Sequence, residues 1–400
     1  MSRRGRRLAS FALLLAASSA CGDVSTSGQD FPADAAGEPA SDAGATAADS
    51  APQPDGAVEC SAWRPAVPFE PCDIADRGGV LLFDEAGVYS YDTGTGVLTS
   101  PAGEPIAHSA IAIDVEGVAT QLVSAEQVQM VPDAVLTIRG SKPLILVAWD
   151  TMAIAGQIDA SSQTGFGPGA NPADCADGLT GRPGVASPDG GSGAGGGGLG
   201  GRGGDGGVGG GSTNEGNGGS FLSSVTGLRG GCPGGDAPGR AGSTARGGVG
   251  GGALALSARV TIQLNGAVHA GGAGGDGGEG GGGAGGGSGG MLWLDAPELA
   301  LSDTAVVAAN GGGGGSGSSA LGEGDDGQDG RTDGVAALGG DADSGAGQGG
   351  GGSDDVPDGR VGADSSSAGG GGGGGGAGII RVDGELQALP GATIVPPTGG

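Results

Sequence analysis

Apolar and polar residues alternate in short runs along the second half of the chain, a pattern that favours β-strands over helices. The first run places apolar residues at Leu144, Leu146 and Ala148, then Met152 and Ile154, then Ile158 and Ala160. The same frame recurs without a gap at Leu254, Leu256 and Ala258, then Ile262 and Leu264, then Val268 and Ala270. Each run predicts two or three short strands whose alternate side chains face one core.

Two further copies extend this repeat toward the C-terminus. The third copy is fitted by Leu292, Leu294 and Ala296, then Leu299 and Leu301, then Val306 and Ala308, with a one-residue deletion before Leu299 and a one-residue insertion after Leu301. A truncated fourth copy begins with Ile380, Val382 and Leu386. One copy is too small to hold a core, whereas stacked copies share one. Residues 134–400 therefore predict an all-β fold of short parallel strands stacked as a β-solenoid-like body, with unrelated hairpins as the alternative.

Residues 59–133 contain strand-like apolar runs that do not follow the spacing of the repeat copies. Val80–Phe83 is a short apolar run, and Val88–Tyr91 and Gly96–Leu98 flank the turn residues Asp92–Thr95. Apolar runs separated by turn residues are typical of short antiparallel strands. We therefore predict an N-terminal β module before the repeat domain.

Long glycine-rich insertions separate the copies, over about residues 189–252, 271–290 and 311–377. Residues 197–211 and 271–279 are phased as Gly-Gly-X triplets. A three-residue period suits an extended helix of the polyproline II type, whose glycine edges could pack backbone against backbone. Flexible linkers are the alternative. The sequence leaves both open.

The N-terminus has the parts of a secretory signal peptide over residues 1–20. A basic segment with four arginines precedes the apolar segment Leu8–Ala17, which is too short to span a bilayer, and small residues follow at Ser18–Ala20. Cys21 stands where a bacterial lipoprotein carries its acyl anchor, although Ser18 occupies a position that prefers Leu. Simple secretion is the alternative. Residues 21–58, without an apolar period, predict a disordered tether.

The cysteine count agrees with lipidation. The chain has five cysteines, and acylation of Cys21 leaves an even number. Pairing of sequence neighbours gives the disulfides Cys60–Cys72 and Cys175–Cys232. A metal site is disfavoured, because no Cys-x-x-Cys spacing exists and the only histidines are His108 and His269. We predict no metal site and no cofactor.

Composition narrows the function further. Glycine supplies 102 of 400 residues and aromatic residues only 3%, so the core must be thin or built from many small contacts. The formal net charge of −28 repels nucleic acid, which we exclude as a partner. Two Gly-Gly-X-Gly-Gly-Asp segments resemble the start of a calcium-binding β-roll repeat. However, Gly207 and Gly278 stand where such a roll needs a large apolar residue.

No catalytic constellation emerges from the sequence. Three acids, Asp159, Asp295 and Asp303, lie near predicted strands, and Arg381 lies on the last one. Each has only small or apolar neighbours, so none forms the carboxylate pair that glycoside hydrolysis requires. His269 is expected at an outward, exposed position. Trp149 and Trp293, in or next to matching strands of two copies, are minor binding candidates.

Together, Val88–Leu98, Arg139–Leu146 and the glycine tracts framing residues 254–270 and 292–308 resemble the glycine-rich hypothetical lipoproteins of the myxobacterial type. The resemblance covers about residues 60–397 and implies no established activity. We therefore predict an exported, non-enzymatic lipoprotein of the outer membrane or cell surface. Its role would be structural or interactive, with the membrane and an envelope or extracellular polymer as partners. A calcium-dependent adhesion module and a carbohydrate-binding or carbohydrate-active solenoid are the alternatives.

Overall fold

The structure is a computed structural model that describes residues 60–398, except 165–168, 171–174, 176–177, 320–321 and 344. The predicted signal peptide, the tether and Cys21 lie outside the described residues. The described chain belongs to one compact unit. It is nearly all β, as predicted, with short 3-10 turns at Pro71–Asp73 and Arg240–Gly242.

Nineteen strands are described, most of them short. They are β1 (Val80–Phe83), β2 (Gly87–Asp92), β3 (Val97–Thr99), β4 (Ser109–Val115), β5 (Val118–Ala125), β6 (Gln127–Met130), β7 (Ala134–Arg139), β8 (Leu144–Ala148), β9 (Thr151–Ile154), β10 (Gln157–Asp159), β11 (Ala237–Pro238), β12 (Thr244–Ala245), β13 (Ala253–Ala258), β14 (Thr261–Leu264), β15 (Ala267–His269), β16 (Met291–Leu301), β17 (Val306–Ala308), β18 (Ile379–Ala388) and β19 (Thr393–Val395).

These strands form two large mixed sheets and one small pair. The ten-stranded sheet has the order β1-β6-β9-β14-β16-β13-β8-β5-β4, with β18 paired to β16. The seven-stranded sheet has the order β19-β17-β15-β10-β7-β2-β3. Pairs are parallel except for the β2–β3, β4–β5 and β11–β12 hairpins. Because β5–β8, β6–β9 and β2–β7 are neighbours, strands on both sides of residue 133 share these sheets. The predicted domain boundary at residue 133 therefore does not separate two folded units.

The predicted repeat copies pair with one another in register. Leu146 pairs with Leu256, and Ile154 pairs with Leu264. The third copy pairs with the second through Leu256 and Leu294, and the sheet register shifts between Asp295 and Glu298, where we place the deletion. Matched apolar positions stack because a one-residue slip would turn every inward side chain outward.

One part of the repeat alignment is wrong by one residue. The sequence aligns Val268 with Val306, whereas the structure pairs Val268 with Val307. Val307 is fully buried and Val306 is half-buried. The insertion after Leu301 is therefore two residues long, because the turn from β16 to β17 is longer than the turn from β14 to β15.

The stacked inward residues form the main hydrophobic core. It contains the inward leucines and isoleucines of the first three copies and Ile380 of the fourth, with Phe83, Tyr89 and Tyr91 at the N-terminal end. Burying one such side chain stabilises the fold by about 1.5–3 kcal/mol relative to leaving it exposed. The few large side chains are therefore enough to form a stable core, because they lie in one continuous stack.

The glycine tracts leave the sheets at equivalent places. They follow β10, β15 and β17, which are neighbours in one sheet, and they precede β13, β16 and β18, which are neighbours in the other. The tracts therefore start and end close together. We call the described residues of 179–252, 270–290 and 309–378 the glycine bundle.

The glycine bundle is held by backbone hydrogen bonds with a three-residue period. The successive amides of residues 193–198 donate in turn to three different segments, two of the same tract and one of the next, at Gly207 and Gly204, at Arg182 and Leu179, and at Gly283 and Gly286. These bonds are 2.9–3.0 Å long. A segment that visits three neighbours in turn has the symmetry of the three-fold helix that the Gly-Gly-X phasing suggests. The described tracts are therefore bonded to one another.

Candidate functional site

The best-defined polar cluster lies on the outer face of β8, β13 and β16, opposite the main core. A segment closed by the Cys60–Cys72 disulfide covers this face. Within it, Trp63 packs edge-on against Trp149 at 5.2 Å between ring centroids, and Val67 is fully buried. Trp293 is also buried under this cover. The face is therefore a second core, and Trp149 and Trp293, the minor binding candidates, are buried in it.

Asp295 lies at the centre of this covered face and holds the covering segment in place. Its Oδ2 accepts hydrogen bonds from the Ser257 hydroxyl at 2.7 Å and from the Ala66 amide at 3.2 Å. Ala66 is 229 residues away in sequence, so the bond joins the covering segment to the repeat body. Burial raises the pKa of the Asp295 carboxyl above its ordinary value, and these hydrogen bonds oppose that rise.

Asp383 is the second acid of the site, and the sequence analysis missed it. It pairs in register with Asp295 on the neighbouring strand, and its charge further raises the pKa of Asp295. The Oδ2 of Asp383 accepts hydrogen bonds from Trp293 Nε1 and from Arg381 Nε, both at 2.7 Å. The prediction that Asp295 and Arg381 each lack charged partners is therefore wrong. The repeat frame could have revealed this pair, because each acid follows matched residues, Leu294 and Val382.

The Asp295–Asp383 pair is built for structure, since protein donors occupy both carboxylates. The guanidinium of Arg381 also lies 4.1 Å over the Trp293 ring, so one arginine engages an acid and an indole. A groove of about 480 Å³ opens beside the two acids, with Trp63 and Arg64 among its lining residues. The chemical role of this site is to hold the segment closed by the Cys60–Cys72 disulfide against the sheet.

The other predicted acids lie apart from this site. Asp303 is exposed in the turn before β17. Asp159 is buried on the other sheet, where its Oδ1 accepts the Ser161 amide and its Oδ2 lies 3.8 Å from Arg139 Nη2. The structure therefore does not bring these two acids to Asp295.

His269 is less exposed than predicted. It pairs in register with Asp159, and its Nε2 is buried without a hydrogen-bond partner. Burial lowers the pKa of His269, and the nearby Asp159 charge opposes this. The outward position was predicted correctly, but the prediction of exposure is wrong, because His269 is half-buried.

The four remaining cysteines form two disulfides, in the pairs that sequence proximity favours. The Cα atoms are 5.1 Å apart in Cys60–Cys72 and 5.7 Å apart in Cys175–Cys232. Cys232 is fully buried in the glycine bundle, where its amide donates to Ser288 Oγ. One disulfide therefore closes the covering segment and the other joins two parts of the chain at the bundle.

Many acids of the glycine bundle accept backbone hydrogen bonds at its rim. Asp326 and Asp329, three residues apart, accept the amides of Gly277 and Gly274, also three apart, at 2.8 and 2.9 Å. Asp205, in one of the calcium-roll-like segments, accepts the Gly218 amide. A rim tract has no neighbouring tract on one side, so a carboxylate satisfies the amide that would otherwise lack a partner. Among the described residues, no group of three or more His, Cys, Asp or Glu is placed to hold a metal ion.

Replacing Asp295 tests the anchoring role directly. Asp295→Ala should lower the free energy of unfolding by about 2 kcal/mol, because it leaves the Ser257 hydroxyl and the Ala66 amide without their acceptor. Asp295→Asn keeps an oxygen acceptor without the buried charge, so it should cost less than half as much. Equilibrium denaturation at neutral pH measures both variants.

The same pair of variants predicts a pH dependence. Because folding raises the pKa of Asp295, the folded state binds this proton more tightly, and the contribution of this residue becomes more favourable as the pH falls toward its unfolded pKa. Asp295→Asn should remove that contribution. An Asn variant as unstable as the Ala variant would show that the charge itself is required.

Comparison with known proteins adds no relative: no protein-family model, no curated protein and no solved structure matches the chain. The predicted resemblance to myxobacterial glycine-rich lipoproteins therefore stays a prediction. In the part of the chain that the structure describes, no helix has the length and hydropathy of a membrane span.

Proposed function

We propose that this chain is an exported, lipid-anchored protein of the bacterial outer membrane or cell surface, with a structural or interaction role and no catalysis. The observation that carries the proposal is the use of its acids. Asp295 pins the covering segment, Asp383 holds Trp293 and Arg381, and the rim aspartates complete the backbone bonding of the glycine bundle. Acids engaged in this way stabilise a scaffold. The same use favours a structural role over calcium binding.

We further propose that the body is a β-solenoid. Three sets of strands support this architecture, because successive copies add a strand to each set in parallel and in register. Stacked coils make an elongated body whose surface is set by repetition. Such a body, beside a glycine bundle, suits a spacer or scaffold in the envelope.

Export is supported by the two disulfides, which persist in oxidising compartments. The signal segment and the unpaired fifth cysteine support a lipid anchor at Cys21. An anchored scaffold would contact the membrane through its acyl chain and an envelope polymer through its body.

Metabolic labelling tests the anchor. A clickable palmitate analogue should label the wild-type protein in the membrane fraction, whereas Cys21→Ser should be unlabelled and soluble. Cys60→Ser is the matched control, because it also removes one cysteine and should keep the label. Equal labelling of wild type and Cys21→Ser would contradict lipidation, and an unlabelled wild type would leave simple secretion as the explanation.

A further inference from the structure

The two ends of the stacked strands differ in how the core is closed. At the N-terminal end, Phe83, Tyr89 and Tyr91 are all buried, and the Phe83 and Tyr89 rings pack edge-on at 5.0 Å. The segment that follows β3 bonds back to it through the Ile106 amide and the Leu98 carbonyl. This end is therefore sealed by aromatic side chains and returning chain.

The C-terminal end lacks such a seal. In the last copy, Leu386 is 37% exposed, although Leu299, its partner on β16, is fully buried. Val382 and Ile394, which face the same core, are only half-buried, and Leu389 is 55% exposed. Pro396 covers part of this end next to Ile380, and both are buried. In each earlier copy the next copy covers the inward side chains. The remaining inward side chains of the last copy have no such cover among the described residues.

The backbone of β18 and β19 is also open on this side. Among the described residues, β18 pairs only with β16, and β19 only with β17. The amides of Ile379 and Leu389 donate to Gly290 and Leu301, toward β16. Because successive peptide groups of a strand point to opposite sides, the peptide groups of Val382 and Leu386 point away from β16. Such an edge is a template for another strand.

Charge and end geometry indicate what covers this edge. The chain carries a net charge of −28, yet residues 379–395 contain only one arginine and two acids. Two copies can therefore approach here with little repulsion. A head-to-tail arrangement would set the open core against the sealed N-terminal end, which offers no matching exposed core. Only a second open end presents an unpaired edge together with an uncovered inward leucine, because the exposed Leu82 of the edge strand β1 faces outward.

We propose that two copies of this chain associate end to end through β18 and β19. Under two-fold symmetry the β18 strands run antiparallel to each other, and each end covers the Leu386 of the other. Antiparallel pairing also brings both signs of charge, from Arg381 and Asp383, to each side of the contact. Because the opposite ends are sealed, association stops at the dimer and does not continue into a fibre.

Sedimentation velocity of the full exported chain tests this proposal. The chain carries Cys21→Ser, so that no acyl group can mediate association. It should form a dimer at concentrations up to about 100 µM, where even a weak specific interface assembles. A monomer throughout that range overturns the proposal.

Proline substitutions at the two ends locate the contact. Leu386→Pro removes an outward amide and should weaken dimerisation at least tenfold, while the melting curve of the monomer stays close to that of the parent. Leu82→Pro is the matched control, because Leu82 is 44% exposed on the edge strand β1. The carbonyl groups of Gly79 and Phe83 accept hydrogen bonds on the β6 side, so the peptide group of Leu82 points to the opposite, open side. This control should dimerise normally.

A second variant guards against misfolding of the proline variant. Leu389→Glu places a negative charge at an exposed position in each copy and should also weaken dimerisation at least tenfold. If both Leu386→Pro and Leu389→Glu dimerise like the parent, or if Leu82→Pro abolishes the dimer, the contact lies elsewhere and the proposal is wrong.

Discussion

Replacing Gly374 with alanine should destabilise the protein by about 3 kcal/mol or more. A Cβ at Gly374 would lie 1.9 Å from the carbonyl oxygen of Gly351, on an adjacent segment of the same tract. Both backbones are fixed by hydrogen bonds, since the Gly374 amide donates to the Arg360 carbonyl and the Gly351 carbonyl accepts the Arg360 amide. The methyl group fits only if the segments that contain Gly374 and Gly351 move apart and the hydrogen bonds that hold them lengthen.

The matched control is the neighbouring glycine itself. A Cβ at Gly351 would have its nearest contact at 3.2 Å, from the Ala337 carbonyl oxygen. Gly351→Ala should therefore change the free energy of unfolding by less than about 1 kcal/mol, because tight packing and the lower entropy of the unfolded chain act in opposite directions.

Chemical denaturation of the two variants under identical conditions measures the difference. Hydrogen exchange at the bundle amides should also rise in Gly374→Ala and stay low in Gly351→Ala. Equal stability of the two variants would mean that the tracts are not packed backbone to backbone, and the three-fold bundle would have to be abandoned.

Truncating Leu256 to alanine should cost about 2–5 kcal/mol, toward the upper part of that range. Leu256 is fully buried, and it is paired in register with Leu146 on one side and Leu294 on the other. The strands that carry these partners are held by parallel ladders, so they cannot move inward to fill the cavity. A cavity that cannot collapse keeps its full cost.

Leu338→Ala is the control for this truncation. Leu338 is exposed, so the same change in side chain should alter stability by less than about 0.5 kcal/mol. Thermal or urea unfolding of both variants checks the prediction. A small cost at Leu256 would place it outside the main core and would contradict the stacking of repeat copies.

The strand frame could be predicted because its cause is local in sequence. Side chains alternate across a strand, so the apolar positions at Leu144, Leu146 and their repeats mark the inward face without any tertiary information. The frame failed at Val306, where the length of a turn sets the phase. A turn interrupts the two-residue alternation, so the apolar pattern does not record how many residues the turn contains.

Burial on the outer face could not be predicted in the same way. Ser257 lies on the outward face of β13, as its polarity indicates, yet it is fully buried with Leu256. Its cover is the Cys60–Cys72 segment, which is nearly 200 residues away in sequence. A strand with both faces covered has no alternation in burial to match its alternation in polarity.

The sequence by itself determined the all-β class, the inward face of each repeat strand and most of the register, because a period of two residues is a property of a single strand. It also determined the three-residue phase of the glycine tracts. Tertiary structure alone decided that these tracts bond to one another, that Asp295 and Asp383 pair on the sheet face that the Cys60–Cys72 segment covers, and that one end of the stack is left open. Each of these features depends on a partner far away in the chain, and no local pattern specifies which distant segment satisfies a given amide, carboxylate or strand edge.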